Sequence, residues 1–374
     1  MCDEWGGYRI SRREALKRGF CAALAAGAGV RLVRPTGAGH VEASHYRKLG
    51  SGPVECGLCF RRCVIPDGGE GFCRNRRNMG GTLYALTANR ICSVQIDPIE
   101  KEPVFHMLPG TDIFCTAAAG CNFRCRFCQN WQISQSRVED TYSYDCEPAD
   151  IVSRAKRRGC PTLSFTYSEP TVFYEYMRET ARLGKERGLK AVFHTNGSIS
   201  AVPLVEILDY MDAVTVDLKG FTEKFYDSVS SASLGPVMKT LEAIKRSGRH
   251  LEIVNLVIPT LNDDMAEIKK MCRWIKAELG EDVPLHFNRF YPAYRLKNIP
   301  PTPVSVLEDA RQIAIDEGIN YVYIGNVPGH KYNSTFCPMC GSLLIDRVHF
   351  VVSKNRMREG KCPSCGLAIS GIWS

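Results

Sequence analysis

From Thr111 onward the chain repeats one kind of unit, and that repeat limits the fold more than any other feature. Short runs rich in Val, Ile, Phe and Thr alternate with longer stretches of helical periodicity. The short runs fall at 112–117, 161–167, 190–195, 212–218, 251–258, 284–290 and 320–325. Helical stretches near 148–159, 171–187, 201–210, 236–247, 263–279 and 303–317 lie between them. Several open on a cap or proline signal: Glu147-Pro148-Ala149-Asp150, Asn262-Asp263-Asp264 and Thr302-Pro303. Strand–helix alternation of this kind builds a parallel sheet flanked by helices. About six units predict an α/β fold, a partial (β/α)6 TIM-like barrel over 111–330, with polar chemistry at the C-terminal strand ends.

The loop after the first strand carries Cys121-Asn122-Phe123-Arg124-Cys125-Arg126-Phe127-Cys128, a C-x3-C-x2-C spacing with no fourth cysteine close behind. Iron–sulfur clusters are normally held by four thiolates, so a cubane held by three leaves one iron open to a substrate or cofactor. A zinc site completed by Cys115 or a distant residue is the alternative. Later strand ends are polar as well. Tyr167-Ser168-Glu169-Pro170 follows the second, His194-Thr195-Asn196-Gly197 the third, and Asp217-Leu218-Lys219 the fourth, while the fifth carries Asn255. His194 reads equally as a packed strand residue or a site residue. Asp217 and Lys219 also fit a plain strand-end ion pair. The segment Phe290–Arg295 is a candidate rim for a substrate mouth.

Cys121, Cys125 and Cys128, with Phe127 at the aromatic position of C-x3-C-x-aromatic-C, resemble the signature of the radical S-adenosylmethionine (SAM) enzymes. The resemblance implies a [4Fe-4S] cluster on those three cysteines, with SAM chelating the open iron. It also implies a low-potential electron donor of the flavodoxin or ferredoxin type. Reductive cleavage of SAM would give methionine and a 5′-deoxyadenosyl radical that abstracts hydrogen. Within that superfamily the chain looks like the pyruvate formate-lyase activating enzyme group. Ser168-Glu169-Pro170 stands at a G-G-E-P-like turn, with Tyr167-Ser168 in place of the glycine pair, and Asp217-x-Lys219 stands at a D-x-K motif. Phe127, Glu169, Asn196, Asp217 and Lys219 are therefore the implied cofactor-binding residues. Lys219 is suited to the methionine carboxylate, and Asp217 to a ribose hydroxyl or the ammonium group.

Most of the 18 cysteines sit in short C-x2-C or C-x3-C groups, which point to metal ligation rather than disulfides. In a segment over 50–110, Cys56, Cys59, Cys63 and Cys73 form a closed four-thiolate set, suited to zinc or to an auxiliary cluster. Arg61, Arg62, Arg74, Arg76 and Arg77 nearby either offset an anionic cluster or form a solvated face, the more usual role. Over 331–374, Cys337-Pro338-Met339-Cys340 and Cys362-Pro363-Ser364-Cys365 are paired knuckles that predict a zinc-ribbon or rubredoxin-like unit holding zinc or iron. So short a unit needs its metal to fold.

From the N-terminal set through Gly325-Asn326-Val327-Pro328-Gly329-His330 to the ribbon, residues 50–374 resemble the AmmeMemoRadiSam-system radical SAM enzymes. That resemblance implies Memo-like and AMMECR1-like partners and leaves the substrate open. Residues 1–40 contain Ser11-Arg12-Arg13-Glu14-Ala15-Leu16-Lys17, which resembles a twin-arginine signal. Export by that route and a cytoplasmic protein with a basic N-terminal helix are both compatible with it. Half of the net charge of +8 lies there, as seven Lys/Arg against three Asp/Glu, so the remainder argues against nucleic-acid binding. The longest apolar run, Phe20 to Val30, is too short to span a bilayer. Two further functional classes fit parts of the pattern: a glycyl radical enzyme activase, and a metal-stapled binding protein that would not need a three-cysteine open site.

Overall fold

Each of the seven short runs becomes a strand of one sheet. The computed structural model describes residues 40–374, so the twin-arginine-like segment lies outside the described residues. The strands are β1 (Ser93–Pro98), β2 (Asp112–Ala117), β3 (Thr162–Phe165), β4 (Lys190–Thr195), β5 (Ala213–Asp217), β6 (His250–Val257), β7 (Leu285–Arg289) and β8 (Val322–Gly325). They lie in chain order, β2 to β8 all parallel, and β1 runs antiparallel along the β2 edge. All four residues of β3, four of the six in β4 and six of the eight in β6 are buried. Strands covered on both faces read as continuous apolar runs, which is why the sequence marked them. β1 carried no such mark. It is short, half-exposed and ends in Pro98, and it extends the sheet to the N-terminal side of residue 111.

Six helices fill the crossovers: α1 (Pro148–Arg157), α2 (Tyr174–Glu186), α3 (Ala201–Leu208), α4 (Leu234–Arg246), α5 (Met265–Trp274) and α6 (Val304–Asp316). Their starts follow the cap signals. Pro148 opens α1 with its fixed φ. The Asp264 carboxylate accepts from the amides of Ala266 and Glu267 at the head of α5. Two expected helices are interrupted. The stretch from 171 begins as a 3-10 turn, Pro170–Phe173, before α2, and α5 runs on as a wider π turn over Ile275–Leu279. Gly184 lets α2 lie close on the sheet, since a Cβ there would meet Leu163 Cδ1 at 2.7 Å.

The N-terminal segment adds two small antiparallel sheets, one of Val41–Glu42, Thr82–Ala85 and Arg76–Met79, the other of Tyr46–Lys48, Val54–Cys56 and Val64–Ile65. At the other end, Thr335–Phe336, Leu343–Val348 and Val351–Asn355 form a three-stranded sheet beside the paired knuckles. The sulfurs of Cys337, Cys340, Cys362 and Cys365 all lie within 4.8 Å of one another. This unit covers the N-terminal ends of β6 to β8. There the buried Glu252 takes hydrogen bonds at His250 Nε2 (2.9 Å), His286 Nε2 (2.6 Å) and the His106 amide (2.8 Å). His106 Nε2 meets Tyr323 Oη at 2.6 Å, Tyr323 meets Thr335 at 2.9 Å, and Arg347 donates to Thr335 at 2.7 Å. No helix among the described residues is long and apolar enough to cross a membrane.

Candidate active site

The cysteine loop leaves the C-terminal end of β2 and is fixed by backbone bonds to distant segments. Arg124 and Arg126 donate their amides to the carbonyls of Ser230 and Val229, each at 2.9 Å, and Arg295 donates to Arg126 O at 2.9 Å. Each of the three sulfurs has polar company. Cys121 Sγ accepts from the Phe123 amide (3.3 Å) and, more weakly, from Asn196 Nδ2 (3.8 Å). Cys128 Sγ meets Ser134 Oγ at 3.1 Å, and Ser230 lies beside Cys125. Burial pushes the Cys125 thiol up to about 11 although the Lys219 ammonium opposes the shift, and Cys121 and Cys128 are raised too. In the absence of a cation the three stay protonated; a bound metal centre supplies the charge that turns them into thiolates. Three soft sulfurs with N–H and O–H donors directed at them fit an iron–sulfur centre. Cys115 does not join them. Its side chain lies in β2 beside Glu102 and Asp97, with the ligand atoms of the three within 4.8 Å, so the zinc alternative loses Cys115 as its fourth ligand and is left with a distant residue.

The polar residues at later strand ends converge on this loop. Lys219 Nζ stands 5.7 Å from the centre of the Phe127 ring and binds Asp217 Oδ2 at 2.9 Å. Asp217 Oδ1 is 3.4 Å from His194 Nε2, and His194 Nδ1 faces Thr166 Oγ1 (3.3 Å) and Glu102 Oε2 (3.6 Å). A row of alternating charge thus runs Lys219, Asp217, His194, Glu102. Burial lowers the His194 pKa, but the carboxylates of Asp217 and Glu102 outweigh it and carry it up to about 10, so the imidazole is cationic at neutral pH. Burial favours neutral Asp217 too, yet Lys219 and His194 hold its carboxyl far below the usual range.

Glu169 lies deeper. It is 1% exposed, and its oxygens accept from the amides of Thr171 (3.0 Å) and Asn196 (2.8 Å) and from the Thr195 hydroxyl (2.8 Å). It ties the turn after β3 to the turn after β4 and so sets Asn196, whose amide also reaches Asn122 Oδ1 at 2.7 Å. In the segment expected to rim a substrate mouth, Tyr294 stacks on the exposed Trp131 with ring centres 5.2 Å apart, while Phe290 is buried in the core. Asn255 points inward and donates to Leu218 O at 2.7 Å.

Several participants escaped sequence reading. Glu102 stands before the first expected strand with no periodic pattern to place it. Ser134 and Ser230 bear on the sulfurs from separate loops. Tyr226 Oη accepts from the Lys219 amide at 3.1 Å. The Phe-Tyr pair at 225–226, close after Asp217-x-Lys219, was the one available signal.

The sequence model described as the Radical SAM superfamily matches residues 116–274. A Methanocaldococcus jannaschii protein, the uncharacterized MJ0808, is 44% identical over 327 residues, covering 87% of this chain and 97% of its own length. The pyruvate formate-lyase-activating enzyme of Clostridium pasteurianum is 23% identical over 199 residues, 48% of this chain and 80% of that protein. Among solved structures, a domain of a pyruvate-formate lyase-activating enzyme from Bacteroides vulgatus matches with a TM-score of 0.40 and 16% identity, over 44% of this chain and 98% of that one. The chain belongs to the radical SAM superfamily.

Proposed function

We propose that this protein is a radical SAM enzyme that cleaves SAM reductively and abstracts hydrogen from a substrate of undetermined identity. The observation that carries the reading is the convergence of Lys219, Asp217, His194 and Asn196, from two successive strand ends, on the three-cysteine loop. Cys121, Cys125 and Cys128 would hold a [4Fe-4S] cluster, which would supply the one-electron reducing chemistry needed to split SAM. The chain's own residues do the rest. Lys219 offers a cation to the methionine carboxylate, and Asp217, anchored between two cations, accepts from the ammonium or a ribose hydroxyl. The buried Phe127 would keep water from that centre, and Glu169 positions Asn196 beside Cys121. The Trp131–Tyr294 stack borders the substrate entrance.

A second reading, activation of a glycyl radical enzyme, is favoured by the Clostridium pasteurianum relative. Against it, the loop after the motif carries no ferredoxin-like cysteine insert, and Cys146 and Cys160 are separately buried. The extended resemblance to the AmmeMemoRadiSam system makes Memo-like and AMMECR1-like proteins the partners to test, with the four-cysteine ribbon at 331–374 as a separate metal unit. The deciding experiment is anaerobic. Reconstituted, dithionite-reduced protein given SAM is expected to form 5′-deoxyadenosine, and Cys125→Ala is expected to form none. A loaded, reducible cluster that yields no 5′-deoxyadenosine would overturn the reading in favour of a binding protein.

A further inference from the structure

Beside the motif loop lies a small, partly open cavity ringed by Cys56, Cys59, Cys63 and Cys73. We propose that these four cysteines hold an iron–sulfur cluster of their own rather than a single zinc ion.

The C-terminal knuckles give an internal reference. A zinc ion bound at about 2.3 Å by four tetrahedral thiolates brings its sulfurs roughly 3.8 Å apart. Cys337 and Cys365 stand 3.6 Å apart, and Cys340 and Cys362 stand 3.7 Å apart. That set is already drawn to single-ion spacing. Among the described residues it is the one all-cysteine group whose sulfurs lie within 4.8 Å of one another. The N-terminal four are spread around open volume instead, as the larger core of iron and inorganic sulfide requires.

The cavity walls supply what such a core needs. Two of their buried polar groups, Arg76 Nε and Thr171 Oγ1, have no hydrogen-bond partner, although Arg76 is only 1% exposed and Thr171 fully buried. Orphaned donors at such depth cost about 1–3 kcal/mol each unless something accepts from them. The inorganic sulfides of a cluster add acceptors inside the cavity. Charge agrees. Arg76 is neutralised by Glu175 at 2.8 Å, but Arg61 has no carboxylate partner among the described residues. Its guanidinium donates to the carbonyls of Asn122 and Ser231 and lies 3.4 Å from the centre of the Phe72 ring, a cation left over for an anionic centre. Asn122 also lines the cavity; its side chain donates to Ser198 O and accepts from Asn196, which reaches Cys121. Asn122, the chain neighbour of Cys121, thus borders the N-terminal cysteine set.

The test needs no SAM, so its outcome is independent of the radical reading. Cys121→Ala/Cys125→Ala/Cys128→Ala protein, reconstituted anaerobically with iron and sulfide, is expected to retain about two to four acid-labile sulfides per chain, with matching iron. After dithionite it is expected to give an iron–sulfur EPR signal. Adding Cys59→Ser and Cys73→Ser should remove all of it. Zinc without labile sulfide, or no metal bound by the set, overturns the proposal. Should the triple variant fail to fold, Cys59→Ser/Cys73→Ser in the otherwise native chain decides. Labile sulfide falling by roughly a third to a half while the motif cluster's signal remains supports the second cluster, and unchanged sulfide overturns it.

Discussion

Replacing Asp217 by Asn probes the charge row directly. His194 is 19% exposed in its side chain and faces two carboxylates, Asp217 at 3.4 Å and Glu102 at 3.6 Å. Together they overcome burial and raise its pKa from 6.5 to about 10. A group whose folded pKa is raised stabilises the fold fully below its unfolded pKa, and that contribution is lost as pH rises through the folded value. His194 therefore supports the fold fully below pH 6.5, and the support drains away towards pH 10. An opposite charge at this range shifts a pKa by about 1–3 units, each worth about 1.4 kcal/mol. Asp217 is 31% exposed in its side chain, and screening puts its share at about 1–2 units, or about 1.4–2.7 kcal/mol. Asp217→Asn should lower the His194 midpoint by that much and make the decline with pH begin lower. The assay is NMR titration of histidine-labelled apo protein, with His194→Gln to assign the resonance, beside urea midpoints from pH 6 to 10. A wild-type His194 that titrates near 6.5, or a midpoint unmoved by Asp217→Asn, refutes the charge row.

Three further outcomes are expected. Glu169→Ala leaves three buried donors without an acceptor and should cost about 3–6 kcal/mol, with Glu169→Gln in between; thermal unfolding of the apo protein measures both, and a loss below about 1 kcal/mol would make Glu169 incidental. Gly120 has φ +102° and approaches Cys73 O so closely that a Cβ would lie 2.6 Å away, so Gly120→Ala should lower the iron content after reconstitution; full loading would show that the contact is soft. Cys362→Ser should unfold the C-terminal unit and expose Trp373, because a four-thiolate metal carries much of the stability of so small a unit; an unchanged tryptophan emission spectrum would contradict this.

The sequence marked the sheet because its parallel strands are buried on both faces, so Thr162–Phe165 or Ala213–Asp217 stand out as unbroken β-rich runs. It missed β1, half-exposed at an edge, because nothing in Ser93–Pro98 alternates cleanly. Motif spacing paired the C-terminal knuckles correctly, since each short C-x2-C turn places two sulfurs side by side. It did not show how far apart their sulfurs stand, which is a property of folded loops. The same limit explains the arginines. Arg76 looked like part of a solvated face, yet it is buried, because its partner Glu175 arrives from α2. His194 could be read either way for the same reason: of the two carboxylates that keep it charged, Asp217 and Glu102, the second comes from the segment before the sheet's first parallel strand.

The C-terminal unit has a consequence at the opposite end of the sheet from the cysteine loop. It covers His106, whose ring is held between Tyr323 and the Ser370 carbonyl, and burial drives that imidazole down to about 3 from 6.5. A histidine kept neutral in this way weighs against the fold once pH falls below 6.5, where the unfolded chain takes up a proton and the folded one does not. The cover is what keeps water from the ring. Stripping the knuckles of metal should then let water reach the ring and its pKa climb back towards 6.5, so that the metal-depleted protein would be less stable at neutral pH but would lose less further stability on acidification.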